Sequence, residues 1–474
     1  MLKSKWKTVG AVVLAGFMLC AAGCGKKTTE AQTGSPVVNQ VIVESAVKTP
    51  LPVEDIELKF TYKQASSNDP LERWMKDAGI IEEFEAQNPG VKIKLSPIPS
   101  TEGDYATLLA LQLSSVKTAP DMFMEDTYMT ATDAASGYLA CLDTYLAGWS
   151  DWSNYLDGTK AAVEGADGKY YGVPISTDSR GIWYSYKLMK EIGIETPWQP
   201  KSWEEILEVA RKIKKYDSSL VPLHMVVGAV NGEAVSMQTF EMLLYGTGDR
   251  MYENGKWLVA SQSLLDTFDF IDRVYKKENL GVGLDLALAS DGSAIVYTRL
   301  FPQEKIGMSF NVCTVAGLWI PTGVAPIENV EDKIGFAAMP TQFGGNPATV
   351  NMCGGWSWAI SEYSAHKDLA FRFLAFCGNR KNATARCLYD GRMSPRSDSI
   401  EIEEYAKRAY IEEMTANMEN SFVRPKDEAY AMVSAQIQTL VEEMVSGGFT
   451  PEQATEQYRI RITNIVGKDN VFSK

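Results

Sequence analysis

The side chains able to make or break covalent bonds occur in this 474-residue chain without the motifs that catalysis usually requires. No HExxH, GxSxG or phosphate-binding P-loop sequence is present. The two histidines, His224 and His366, lie far apart in the sequence, so a histidine-based triad is not expected. Two carboxylates could hydrolyse a glycosidic bond, but 60 Asp and Glu residues make accidental pairs inevitable. We therefore do not expect an enzyme, and neither a metal nor a cofactor is predicted.

Other side chains are suited to noncovalent recognition of a polar ligand. Asp178 and Arg180 stand two residues apart, and they combine a hydrogen-bond acceptor with a rigid fork of donors. The sequence Gly354-Gly355-Trp356 places a flat aromatic ring beside backbone that another group can approach closely. Such groups suit a ligand with hydroxyls around its rim and weakly apolar faces. Asp178 and Arg180 could instead form an ion pair with each other.

The N-terminal residues predict export from the cytoplasm. Three lysines precede the apolar run Val9–Ala22, whose 14 residues suit a signal peptide and fall short of the roughly 20 that a membrane span needs. The run ends in Ala21-Ala22-Gly23-Cys24, which resembles the lipobox of bacterial lipoproteins. We therefore expect a signal peptide over 1–23 and lipid attachment at Cys24. An ordinary secretory signal is the alternative.

Composition bounds the rest of the chain. Residues 24–53 are rich in Thr, Gln, Ser, Val and Pro, which predicts a flexible tether. The folded remainder exceeds the roughly 250–300 residues at which one core stops growing, so two lobes are expected. A formal net charge of −14 argues against nucleic acid as a partner. Beyond Cys24 the chain has five cysteines, an odd number without CxxC spacing, and we expect them to be buried free thiols. They are Cys141, Cys313, Cys353, Cys377 and Cys387.

The elements that must position these side chains begin with a βαβ pattern. Ile56–Tyr62 alternates apolar and polar residues as a strand does, and Val91–Leu95 alternates in the same way. Between them, Asp69-Pro70-Leu71-Glu72 has the acid and proline of a helix start, and apolar residues follow at helical spacing as far as Phe84. This order predicts an α/β fold with parallel strands.

The order of landmarks along the chain resembles the family 1 extracellular solute-binding proteins of bacterial ABC sugar importers, to which the maltose-binding proteins belong. No landmark is specific alone, but their order behind a lipobox is. The landmarks are 84–90 (FEAQNPG), 119–123 (APDMF), 137–142 (GYLACL), 167–174 (DGKYYGVP), 183–185 (WYS), 200–205 (PKSWEE), 354–356 (GGW), 359–361 (AIS) and 368–374 (DLAFRFL). The stretch Leu280–Pro302 has no counterpart that we can place.

The resemblance implies a two-lobed α/β fold of the periplasmic-binding-protein type, in which each lobe is a mixed or parallel sheet flanked by helices. One lobe would hold 54–176 and 350–400, and the other 177–349 and 401–474. The ligand would lie in the interlobe cleft and be buried by hinge closure. The expected protein is a monomer on the outer face of the membrane, delivering a sugar or oligosaccharide to the permease subunits of an ABC importer. A surface adhesin or sensor, a carbohydrate-active enzyme, and a peptide or polyamine ligand are the alternatives.

The resemblance also suggests residues that contact the ligand. In maltose-binding relatives an acidic residue four positions after the landmark proline contacts sugar, and Asp178 occupies that place after Pro174. Family members have contacts in the loop that Glu125 and Asp126 occupy here, although helix capping is an alternative role for both. Trp356 is the main stacking candidate. The predicted ligand contacts are Asp178, Arg180, Glu125, Asp126, Trp319, Gly355, Trp356, Asn311 and Ser67.

Overall fold

The computed structural model describes residues 55–64, 69–100, 102–321 and 323–474. The predicted signal peptide, Cys24, the whole predicted tether and Ser67 lie outside these ranges. Within them, no helix combines the length and the apolar character that crossing a bilayer requires.

Fourteen strands occur in the described ranges. They are β1 (Ile56–Gln64), β2 (Val91–Pro99), β3 (Met122–Asp126), β4 (Val173–Pro174), β5 (Arg180–Ser185), β6 (Val221–His224), β7 (Tyr252–Glu253), β8 (Lys256–Ala260), β9 (Ile306–Val312), β10 (Ile334–Pro340), β11 (Thr349–Met352), β12 (Trp356–Ile360), β13 (Ser421–Phe422) and β14 (Val471–Ser473).

The same part of the chain has nineteen α-helices. They are α1 (Pro70–Lys76), α2 (Ile80–Gln87), α3 (Glu102–Leu113), α4 (Thr130–Ala135), α5 (Asp143–Ala147), α6 (Asp157–Ala162), α7 (Tyr186–Glu191), α8 (Trp203–Tyr216), α9 (Glu233–Val235), α10 (Met242–Gly246), α11 (Gln262–Asp272), α12 (Leu284–Ala287), α13 (Gly292–Ile295), α14 (Lys367–Gly378), α15 (Arg380–Asp390), α16 (Glu403–Ala406), α17 (Ile411–Ala416), α18 (Tyr430–Val445) and α19 (Pro451–Val466).

The predicted βαβ unit is confirmed. β1 and β2 pair in parallel over their whole length, from Ile56 opposite Val91 onward. The Asp69 carboxylate accepts hydrogen bonds from the first backbone N–H groups of α1, as the sequence predicts for a helix start. The single helix predicted as far as Phe84 is wrong, because α1 and α2 are separate. Gly79 divides them in a left-handed conformation (φ 72°) that a helix interior does not accommodate.

The first lobe is built on a five-stranded sheet in the order β2-β1-β3-β12-β4. β12 runs antiparallel to β3, which places Trp356 opposite Asp126 at the end of the pair. Helices cover the sheet and bury a core in which Phe60 contacts Trp358 edge-on, with ring centroids 6.1 Å apart. This packing makes the edge formed by Asp126 and Trp356 a fixed part of the lobe.

The second lobe is built on a six-stranded sheet in the order β13-β11-β10-β5-β9-β6, and a small sheet β14-β8-β7 lies in the same core. β5 pairs with β9 on one side and with β10 on the other, and it runs antiparallel to both. Ser202 and Thr450 cap α8 and α19, since each side chain accepts a backbone hydrogen bond from its helix. Trp203 and Trp257 pack in this core.

The chain passes between the two sheets at least twice. β4 belongs to the first sheet and β5 to the second, so residues 175–179 form one crossing. β11 belongs to the second sheet and β12 to the first, so 353–355 form another. α14 packs in the core of the first lobe, whereas Cys387 on α15 packs against a cluster of the second lobe that includes Trp183. The predicted lobe boundaries stay a prediction.

Candidate functional site

A cavity of about 320 Å³ lies where the two sheets meet. Two grooves of about 770 and 780 Å³ on the outer surface are larger, but charged side chains such as those of Lys92, Glu85, Lys187 and Glu304 line them and pair with each other across them. The interlobe cavity instead gathers buried polar groups from both lobes. Its lining includes Asp126, Asp178, Arg180, Asn231, Glu233, Gln238, Ser293, Tyr297, Asn311, Gly355, Trp356, Arg392 and Arg424.

The first lobe contributes the end of the β3–β12 pair. Successive side chains of a strand point to opposite faces, so Asp126 and Trp356 share the face that lines the cavity. Trp356 is only 3% exposed, because its ring also packs against Tyr105 at a centroid distance of 5.8 Å. Lys63 Nζ also lies over the ring, 5.4 Å from its centroid, so only a small part of the ring is open to the cavity.

Glu125 lies on the opposite face of β3 and does not line the cavity. Its side chain is 1% exposed, and its carboxyl group interacts with that of Asp133 on α4. Burial and the neighbouring Asp133 raise the pKa of Glu125 well above its usual range. Burial also raises the pKa of Asp133 to about 6. The predicted contact of Glu125 with the ligand therefore has no geometric support here.

Asp178 and Arg180 lie in the first crossing segment and in β5, and they form a buried ion pair. Arg180 Nη1 lies 2.5 Å from Asp178 Oδ1 and donates to the backbone oxygen of Met352 at 2.9 Å. The backbone N–H of Gly354 donates to the same Asp178 oxygen at 2.9 Å. Burial raises the pKa of Asp178, but Arg180 and Arg424 outweigh that effect and hold this pKa below its ordinary value. The pair thus joins the two crossing segments while it lines the cavity.

Glycines at the second crossing make this approach possible. A side chain at Gly354 would bring its Cβ within 2.2 Å of Arg424 Nη1. Gly355 has a φ of 125° and contacts the backbone of the first crossing, so a side chain there would be strained as well as crowded. Gly355 therefore allows close packing between the crossing segments, and Gly354 leaves room for the Arg424 side chain.

Arg424 is a lining residue that the sequence did not predict. Its guanidinium holds Glu233 with two hydrogen bonds, of 2.7 and 2.9 Å. It also donates to Thr127 Oγ1 of the first lobe at 2.9 Å, and Asp126 Oδ1 lies 3.7 Å away. Arg424 follows β13 in a segment without helical or strand periodicity, and its partners lie far off in the sequence. No local pattern could have found it.

The stretch Leu280–Pro302, which matched none of the family landmarks in the sequence analysis, supplies part of the cavity wall. It forms α12, α13 and a π-helical turn over Val296–Leu300, and Tyr297 in that turn faces the cavity. Asn311 on β9 donates a hydrogen bond from its side-chain nitrogen to the Tyr297 hydroxyl. The predicted residue Asn311 is therefore in the cavity together with a tyrosine that the sequence did not single out.

The structure does not bring Trp319 to the cavity. Its side chain is fully buried, and its ring contacts that of Trp183 at a centroid distance of 5.1 Å. The indole N–H donates to the backbone oxygen of Tyr297 at 2.9 Å. Trp319 thus supports the turn that carries Tyr297 from behind. Of the predicted contacts, the cavity wall contains Asp126, Asp178, Arg180, Asn311, Gly355 and Trp356.

The charges in the cavity wall are balanced and paired. Three carboxylates and three guanidinium groups belong to the lining. Arg180 pairs with Asp178, and Arg424 pairs with both Glu233 and Asp126. Arg392 pairs at 3.3 Å with Asp390, which lies outside the lining and also pairs with Arg386. A ligand would meet fixed donors and acceptors without an uncompensated charge. Among the described residues, no group of three or more His, Cys, Asp or Glu side chains could hold a metal ion.

The fold and the interlobe cavity define a two-lobed solute-binding protein. The family model for the bacterial extracellular solute-binding proteins matches residues 68–384, and the chain belongs to this family. The predicted family and fold are therefore confirmed, and so is the expectation of a binding protein rather than an enzyme. Membership implies a location outside the cytoplasm.

Individual relatives are distant. The chain is 25% identical over 313 residues to the multiple sugar-binding protein of Streptococcus mutans and 22% identical over 306 residues to the lactose-binding protein of Rhizobium radiobacter. Each match covers 63% of this chain and 66% of the relative, so about two thirds of each relative is spanned.

Solved structures agree in fold. A solute-binding protein of Thermotoga lettingae bound with α-D-tagatose superposes with a TM-score of 0.72 at 21% identity, over 87% of this chain and all of that one. A maltose-bound protein of T. maritima gives a TM-score of 0.72 at 21% identity, over 86% of this chain and all of that one. At this identity the likeness concerns the fold alone.

Proposed function

We propose that this chain binds an uncharged sugar or short oligosaccharide in the interlobe cavity and delivers it to the permease subunits of an ABC importer. The observation that carries the proposal is the charge-balanced, paired lining of the cavity. A charged ligand transferred from water into this site would need an unpaired opposite charge to offset its lost hydration. A neutral ligand with many hydroxyls needs donors, acceptors and an aromatic contact, and the lining includes these.

The names of relatives support the same class of ligand. The curated relatives are called multiple sugar-binding and lactose-binding, and the solved structures of similar fold hold tagatose and maltose. The cavity volume of about 320 Å³ lies near the lower end of the roughly 300–1,000 Å³ range of ligand pockets. We therefore favour a small sugar over a long oligosaccharide.

Hinge closure would complete the site. Asp178 in crossing segment 175–179 pairs with Arg180 at the start of β5 and accepts the backbone N–H of Gly354 in crossing segment 353–355. Rotation of the lobes would therefore occur around these two segments. Because donors and acceptors lie on both lobes, a ligand that contacts both would favour the closed form. The permease would then meet a loaded, closed protein.

We further propose that Cys24 carries the lipid that holds the protein at the outer face of the membrane. The support is the sequence Ala21-Ala22-Gly23-Cys24 after an apolar run of signal-peptide length. A tether over 24–53 would let the folded part reach the permease from its anchor.

A ligand screen tests the proposal. The purified protein is melted with millimolar maltose, lactose, D-tagatose or ribitol, and with sn-glycerol 3-phosphate as a charged comparison. A ligand present at about 1,000 times its Kd stabilises the native state by about 4.1 kcal/mol, which a melting curve detects readily. We expect an uncharged sugar to raise the Tm and to be recovered unchanged. Stabilisation by the phosphate alone, or conversion of the sugar beyond stoichiometry, would contradict the proposal.

A further inference from the structure

His224 lies behind the cavity wall in a chain of hydrogen bonds that leads to the cavity. β6 and β9 pair in parallel, which places His224 opposite Ser309. His224 Nδ1 lies 2.9 Å from Ser309 Oγ, and Ser309 Oγ lies 2.6 Å from the Tyr297 hydroxyl. The Tyr297 hydroxyl in turn accepts from the side-chain nitrogen of Asn311. His224 is 2% exposed and takes no part in the cavity lining.

The direction of this chain follows from its two ends. The Asn311 amide has its nitrogen toward the Tyr297 hydroxyl, while the backbone N–H of Val312 is shared between Asn311 Oδ1 at 2.7 Å and Gln238 Oε1 at 2.8 Å. That nitrogen can only donate, and the Tyr297 hydroxyl must therefore pass its own hydrogen to Ser309 or to His224. The hydrogen of Ser309 then needs an acceptor, and His224 Nδ1 is the group within reach.

The environment of the imidazole agrees with that direction. Full burial lowers the pKa of His224 to about 4, so the ring is neutral near pH 7. A neutral imidazole carries one proton on its two ring nitrogens. Because the chain of hydrogen bonds needs Nδ1 as an acceptor, that proton is on Nε2. Nδ1 is then the final acceptor for all of the donors between it and the cavity.

We propose that His224 is a positioning residue that fixes the Asn311 amide so that an N–H, and not the amide oxygen, faces the ligand. An unconstrained asparagine could present either group by rotating its amide. With the chain in place, one amide hydrogen is held by Tyr297 and the second is left as a donor to a ligand oxygen. The inference deepens the proposed function and relies on it for the identity of the ligand as an oxygen-rich molecule.

The ring state of His224 can be measured without any ligand. The chain has two histidines, so a 15N spectrum of the imidazole nitrogens contains two sets of signals, and a His366→Gln variant assigns them. We expect His224 at pH 7 to be neutral, with the proton on Nε2 and a bare Nδ1. A protonated Nδ1, as the other neutral form or as the imidazolium, would overturn the proposal.

Variants test whether the ring acts on Asn311. His224→Leu removes the acceptor, whereas His224→Asn places an amide oxygen near the position of Nδ1. We expect hydrogen exchange of the Asn311 side-chain amide to become about tenfold faster in His224→Leu, as for the loss of one hydrogen bond, and to return to the wild-type rate in His224→Asn. Equal exchange in all three proteins would contradict the proposal.

These measurements separate the two claims. If no sugar binds, the spectra of the ligand-free protein still decide the role of His224. If His224→Leu does not fold, the tautomer in the wild-type protein and the exchange rate in His224→Asn give the answer. A sugar that binds to a protein with the wrong tautomer would overturn the positioning role and leave the proposed function standing.

Discussion

The guanidinium of Arg424 in the second lobe donates to the hydroxyl of Thr127 in the first lobe at 2.9 Å. Thr127 passes the connection on, because its hydroxyl donates to the backbone oxygen of Gly355 at 2.9 Å. Arg424 also holds Glu233 with two hydrogen bonds. One buried cation thus connects a carboxylate of the second lobe with the second crossing segment and the first lobe.

The Arg424→Met variant is expected to be less stable than the wild-type protein. Removing the cation leaves Glu233, whose side chain is only 11% exposed, without its charged partner, and breaking a buried pair in this way costs about 3–5 kcal/mol. Urea unfolding followed by circular dichroism measures the loss as a lower midpoint.

A second interlobe ion pair provides the control. Lys426 Nζ lies 2.7 Å from Glu164, but both side chains are partly exposed to solvent. Such a pair contributes only about 0–1 kcal/mol, so Lys426→Met should unfold close to the wild-type midpoint. Equal losses in the two variants would show that Arg424 has no special role in joining the lobes.

Because the pKa of Asp178 is lowered in the folded protein, we expect the folded state to lose stability in acid. Its pKa in the folded protein lies below the value of about 3.9 in an unfolded chain, so the unfolded state binds more protons in that range. The stabilisation by Asp178 is therefore present above pH 4 and disappears as the pH falls through the folded pKa. Melting the wild-type protein and Asp178→Asn between pH 7 and pH 3 measures this, and the gap in Tm should narrow toward pH 3.

A solvent-exposed ion pair provides the control for the effect of acid on a buried one. Lys187 and Glu304 form an ion pair in which both side chains are well exposed. Exposed ion pairs contribute only about 0–1 kcal/mol. The melting temperature of Glu304→Gln should therefore stay close to that of the wild-type protein at every pH. A constant gap between wild type and Asp178→Asn at every pH would contradict the assignment for Asp178.

Local sequence patterns predict much of this fold, for physical reasons that individual residues illustrate. The Asp69-Pro70 pair marks the start of α1 because the carboxylate satisfies free N–H groups and proline lacks one. Thr450 and Gln453 form the capping box that their spacing indicates. The break at Gly79 was missed because the apolar spacing continues across it.

The candidate site was predicted only in part, because its geometry depends on distant contacts. Arg424 and Thr127 are 297 positions apart, and no spacing rule relates them. Glu125 and Asp126 are both acidic, and only the pairing of β3 with β12 decides which of them faces the cavity. Tyr297 lies in a π-helical turn with no strong periodicity, so only the folded chain reveals its place.

Glu241 is expected to make the stability of the folded protein depend on pH in the opposite sense to Asp178. Burial, followed by the neighbouring Glu233, raises the pKa of its carboxyl to about 7. The folded state therefore holds a proton that the unfolded state releases above about pH 4.3, and stability falls as the pH rises toward 7. Glu241→Gln keeps an acceptor for the Tyr430 hydroxyl, which lies 2.7 Å away, and removes the titration.

Melting Glu241→Gln and the wild-type protein between pH 5 and pH 8 tests this assignment. The variant should gain stability relative to wild type as the pH rises, because it has no carboxyl to ionise. Glu442→Gln is the comparison variant, because it removes a different carboxyl, at the other end of α18 from Tyr430. A difference between wild type and Glu241→Gln that does not change with pH would show that the carboxyl does not titrate in this range.

Cys24→Ser tests the lipid anchor. Each acyl CH₂ buried in the bilayer contributes about 0.8 kcal/mol, and two chains hold a protein stably at a membrane. Without the thiol, we expect an uncleaved precursor or protein shed into the medium. Fractionation after labelling with a fatty acid measures this, and Cys141→Ser, which alters an exposed thiol of the folded part, is the control. Labelled Cys24→Ser protein in the membrane fraction would disprove the anchor.

Trp356 separates a structural role from a role in binding. The ring is 3% exposed and contacts Tyr105, so Trp356→Ala should lower the stability of the ligand-free protein by about 3–5 kcal/mol. Trp356→Phe keeps an aromatic ring in the core, but the smaller ring offers less contact to the cavity that Trp356 lines. We expect this variant to fold well and to bind the sugar found in the screen about tenfold more weakly, which corresponds to about 1.4 kcal/mol. Trp358→Phe, whose ring lies in the core away from the cavity, should keep the wild-type affinity. Melting without ligand followed by calorimetric titration distinguishes the two roles, and wild-type affinity in Trp356→Phe would remove Trp356 from the binding site.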